Sequence, residues 1–113
     1  MRKLNEKDLE ILRKLAPEIE EKLKSGRKLE YRSILPPVSM HFAQDEEDFK
    51  DRLERLSPDE LAYLAGRILD ESECLLCISP EFARIFMDVL AYKVSDDVAE
   101  KVKALYKSAT GYD

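Results

Sequence analysis

A chain of 113 residues carrying a net charge of −5 is the size of one domain and long enough to bury a sizeable core. Sixteen Leu, abundant Glu, Lys, Arg and Ala, a single Thr, three Gly and no Trp favour helix and argue against a sheet protein, which draws on Val, Thr and turn glycines. The charge is uneven: residues 1–32 hold ten Lys/Arg against seven Asp/Glu, whereas residues 33–113 hold nine against seventeen. The larger, acidic part repels a phosphate backbone, and only the N-terminal arm suits nucleic acid.

No apolar run approaches the ~18 residues of a membrane span, and Met1–Glu6 turns polar too early for a signal peptide. A cytoplasmic protein is expected, with no membrane partner. One Asn and one Gln among 38% charged residues is a composition reported for proteins that work at high temperature.

In chain order, Asn5-Glu6-Lys7-Asp8 reads as a helix cap, followed by one apolar stripe, Leu9, Leu12, Ala16, Ile19 and Leu23. Pro17 interrupts the stripe without changing its phase, which predicts a kink in one helix rather than a break. Ser25-Gly26 supplies the stop. Residues 27–44 lack helical periodicity, and Pro36-Pro37 biases its surroundings toward extended geometry. A second helix starts near Asp45 with an acidic first turn and turns Phe49, Leu53 and Leu56 inward.

Ser57-Pro58-Asp59-Glu60 is a strong start signal for a third helix, lined by Leu61, Leu64, Ala65, Ile68 and Leu69. Gly66 within it is readily tolerated where another helix backbone approaches closely. Ser79-Pro80-Glu81 starts a fourth helix, apolar around most of its circumference and therefore central. Ser95-Asp96-Asp97 caps a last helix that ends near Gly111. The expected architecture is all-α: a single helical domain over residues 1–113, about five helices, one long irregular connection (27–44) and a central fourth helix (80–94).

Few residues carry chemistry. Cys74-Leu75-Leu76-Cys77 sits between the third and fourth helices. Two thiolates at this spacing suit zinc or redox chemistry, with His41, the only histidine, as the remaining soft ligand. The plainer reading makes both cysteines small buried hydrophobes, with no metal and no cofactor. No nucleophile lies in an elbow or glycine-rich turn, and no phosphate-cradling loop is present, so an enzyme is not expected. Asp45 to Asp48 lacks the alternating oxygens and central glycine of a calcium loop. Lys22, Lys24, Arg27, Lys28 and Arg32 form the densest basic run, placed to stabilise a helix C-terminus or to contact nucleic acid.

Ser33 to Gln44 is a twelve-residue stretch without formal charge. It is expected either to lie as a strap across the helices or to dock a partner through Ile34, Leu35, Val38, Met40 and Phe42. The leading expectation is a non-enzymatic protein-interaction or self-association module. A nucleic-acid-associated protein using the basic arm is the alternative, and a small metal or thiol protein built on Cys74, Cys77 and His41 is the third. No small-molecule substrate is indicated.

Overall fold

The structure is a computed structural model and describes residues 5–24, 33–70 and 72–111, with the side chains of residues 22–24 outside the description. Among these residues the chain is all-α, and no strand is present. Seven α-helical segments follow in order: α1 Glu6–Leu15, α2 Ile19–Lys24, α3 Leu35–Pro37, α4 Glu46–Glu54, α5 Pro58–Leu69, α6 Pro80–Lys93 and α7 Asp96–Thr110. A π-helical turn, Val38–Phe42, continues α3, and a 3-10 turn, Leu75–Cys77, precedes α6.

The starts are set by side-chain caps. Asn5 and Asp8 form a reciprocal capping box on α1, and Ser57 and Glu60 form another on α5. Asp45, Ser79 and Ser95 each accept an amide three residues on, beginning α4, α6 and α7. Gly111, at φ 78°, closes α7 in the left-handed conformation that glycine adopts without strain.

Pro17 breaks the first helix rather than kinking it. Ala16 leaves helical geometry (φ −140°, ψ 78°) because the following proline ring disfavours the α region for its predecessor. The chain restarts at Ile19, with its amide bonded to the Ala16 carbonyl. The apolar phase survives the break: Leu12, Ala16 and Ile19 are all buried.

Residues 35–42 also depart from expectation, being helical rather than extended. Pro36 and Pro37 stand in the first turn of α3, where backbone donors lack intrahelical partners and a missing N–H costs nothing. The amide of Ala43 then reaches the Val38 carbonyl at 2.7 Å, closing the π-turn.

One contiguous core joins residues from every long helix, from Ile11 to Tyr106. The central helix is α6, which packs against α4, α5, α7 and the 3-10 turn. It buries Ala83, Phe86, Val89 and Leu90, and Phe82 stacks on Phe49 of α4 with centroids 4.6 Å apart. Gly66 is exposed, and a Cβ there would meet nothing within 4 Å, so no backbone approach requires it. Leu69, expected on the inner face of α5, is 41% exposed.

Candidate functional site

The uncharged stretch is a packed strap. Ile34, Leu35 and Val38 are fully enclosed and Phe42 nearly so, each worth ~1.5–3 kcal/mol of burial. Of the five residues considered for docking, only Met40 projects, at 67% exposed, with His41 exposed beside it.

Two buried charges pin the strap, one at each end. At its start, Glu73 Oε1 accepts the amides of Ile34 (2.7 Å) and Leu35 (2.6 Å). These are the donors that the prolines do not remove from the first turn of α3, so its backbone accounting closes. Glu73 Oε2 accepts from Nε and Nη2 of Arg67 at 3.2 and 3.1 Å. Burial pushes the Glu73 carboxyl above the usual range, opposed by the two amides and Arg67. Arg67 also pairs with Asp8 at 3.2 Å, and Asp8 accepts the Tyr63 hydroxyl at 2.6 Å. The α1 cap, α5, the cysteine turn and the strap thus share one polar network.

At the other end, the Arg52 guanidinium is buried and donates to five acceptors. They are both Glu18 oxygens (3.0 and 2.7 Å), Asp48 (3.0 Å), the Leu15 carbonyl (3.0 Å) and the Phe42 carbonyl (3.2 Å). The Leu15 carbonyl lies at the end of α1, where no intrahelical amide remains for it. Arg52 holds Glu18 below the usual carboxylate range; the Gln44 amide and then Arg52 do the same for Asp48. Sequence reading missed these anchors. A signal for Arg52 was available, since it occupies an inward position of the stripe Phe49, Leu53, Leu56.

The cysteines are not buried hydrophobes. Cys74 and Cys77 are joined in a disulfide, with Cys74 half-buried and Cys77 exposed. Among the described residues no three His, Cys, Asp or Glu side chains come together in a group able to hold a metal. The Cys74, Cys77 and His41 arrangement is therefore not formed. Of the basic run, Lys22 and Lys24 fall on α2 with side chains outside the description, and Arg27, Lys28 and Arg32 lie outside the described residues.

Among the described residues, depressions of three kinds mark the surface. A recess of about 490 Å³ over α1 and α5 is lined by the polar network, where Asn5, Asp8, Tyr63, Arg67 and Asp70 already bond within the wall. A groove of about 540 Å³ between α6 and α7 carries mixed charge, Arg84, Asp88, Glu100 and Lys103. The third, about 320 Å³, runs between the cysteine turn and α7 and is different in kind. Ile68, Leu75, Leu76, Leu105, Tyr106 and Ala109 make most of its wall, completed by Glu73 and Cys74. Leu76, at 53% exposed, stands at this groove. Glu73 has both oxygens engaged elsewhere, so its carboxylate is committed to the fold rather than to an occupant.

No helix among the described residues is long and apolar enough to cross a membrane. No protein-family model, curated protein or solved structure matches the chain, so the site is read from its own geometry.

Proposed function

We propose that this chain is a non-enzymatic protein-interaction module that receives an apolar segment of a partner protein in the groove between the Cys74–Cys77 turn and α7. The observation that carries this reading is the half-exposed Leu76 beside a mainly apolar wall, an arrangement suited to burying apolar side chains on binding. The strap residues first considered for docking already serve the core, and Met40 alone is too small an anchor. A second copy of the chain is a poor occupant, because residues 33–113 carry eight more acidic than basic groups and like surfaces repel.

Selection of a random-peptide display library against the purified chain tests the proposal. Enriched peptides should be apolar, lose binding to Leu76→Asp and Ala109→Glu, and keep binding to Met40→Glu. Absence of enrichment, or binding that maps to Met40, would overturn it.

A further inference from the structure

We infer that the groove recognises a partner cysteine flanked by apolar residues and captures it by thiol–disulfide exchange at Cys74, an inference that rests on the docking reading above. Cys74 belongs to the groove wall, whereas Cys77 lies outside that wall and is exposed. The disulfide spans a sequence separation of 3. Closing so short a loop constrains the unfolded chain less than a longer crosslink would, so stability is a weak reason for the bond.

A segment seated in the groove presents its thiolate to Cys74 Sγ. Attack there forms the partner–Cys74 bond and breaks the Cys74–Cys77 bond, and Cys77 leaves with the electron pair as a thiolate that solvent hydrates or protonates. One thiol is consumed and one is formed, so no external oxidant or reductant enters. A second thiol on the partner completes the exchange by attacking the partner sulfur of the mixed disulfide. It leaves an oxidised partner and Cys74 and Cys77 as thiols.

The apolar wall selects the thiol. Neighbouring Leu or Phe side chains gain burial beside Leu76 and Leu105, whereas a small acidic thiol gains none and meets an acidic chain.

The test mixes the oxidised full chain with a reduced peptide carrying Leu-Cys-Phe, the same peptide with Ser-Cys-Ser, and glutathione, and follows acid-quenched mixed disulfides by mass spectrometry. The Leu-Cys-Phe peptide should react at least about tenfold faster than the other two, the yield of burying one apolar side chain. Its adduct should map to Cys74, and the uncharged Leu76→Ser should bring its rate down to that of the Ser-Cys-Ser peptide. Equal rates for all three thiols, or an adduct on Cys77, would overturn groove-directed capture.

A Leu-Ser-Phe peptide separates the two readings by NMR. If it binds the groove while Leu-Cys-Phe fails to exchange, docking stands and capture falls; if neither binds nor reacts, both fall.

Discussion

Replacing Glu73 tests the strap most sharply, because its carboxylate serves four donors at once. Glu73→Ala strands the Ile34 and Leu35 amides, each a loss of ~1–3 kcal/mol when buried without a partner. Arg67 also loses its contact with Glu73 but keeps Asp8 and the Ser72 carbonyl. The two amides alone sum to about 2–6 kcal/mol, a span that contains the range of about 3–5 kcal/mol for breaking a buried ion pair from one side, which is the loss expected. Against a total stability of ~5–15 kcal/mol that is a large fraction. Glu73→Gln retains an oxygen for the two amides and turns an NH₂ toward Arg67, so its loss should be smaller, about 1–3 kcal/mol. Urea unfolding supplies the totals, and hydrogen exchange at the Ile34 and Leu35 amides supplies the local readout. Loss below about 1 kcal/mol for Glu73→Ala, or unchanged exchange at both amides, would refute the clamp.

Phe42→Ala should destabilise by about 3–5 kcal/mol through the cavity it leaves, whereas Met40→Ala should stay within about 0.5 kcal/mol; thermal unfolding of the pair checks both. Arg52 lowers the carboxyl of Glu18 from its ordinary value of 4.5, and the Gln44 amide, then Arg52, lower that of Asp48 from 3.8. The folded state binds those protons less readily than the unfolded chain, so this stabilisation is present above the ordinary values and lost as pH falls through the lowered ones. Urea titrations across that acid range should show the decline, and Arg52→Met, already less stable at neutral pH, should show a shallower one. Gly66→Ala should stabilise α5 by about 0.5–1 kcal/mol, since helix propensity improves and nothing obstructs the new Cβ; a fall in stability would reveal a constraint on that position.

Helix starts were legible because each is a local device: Ser57-Pro58-Asp59-Glu60 specifies its cap within four residues, and the structure forms that capping box. The central α6 was legible from its apolar circumference. Pro17 and Pro36-Pro37 were misjudged for related reasons. Whether proline breaks or begins a helix depends on where its missing donor falls, and at α3 that turns on Glu73, about forty residues away in the chain and in contact with the Ile34 and Leu35 amides. Long-range pairing of this kind leaves no periodic signature. The Cys-x-x-Cys spacing was visible, but the apolar groove beside it is not, because Leu105 and Ala109 come to it only through the packing of α7.

The most direct measurement is backbone and methyl NMR of the full chain titrated with a peptide selected against it. Docking in the groove predicts shifts at Leu75, Leu76, Leu105 and Ala109, with Met40 and His41 unmoved. Shifts centred on Met40 and His41, with the groove silent, would contradict the account.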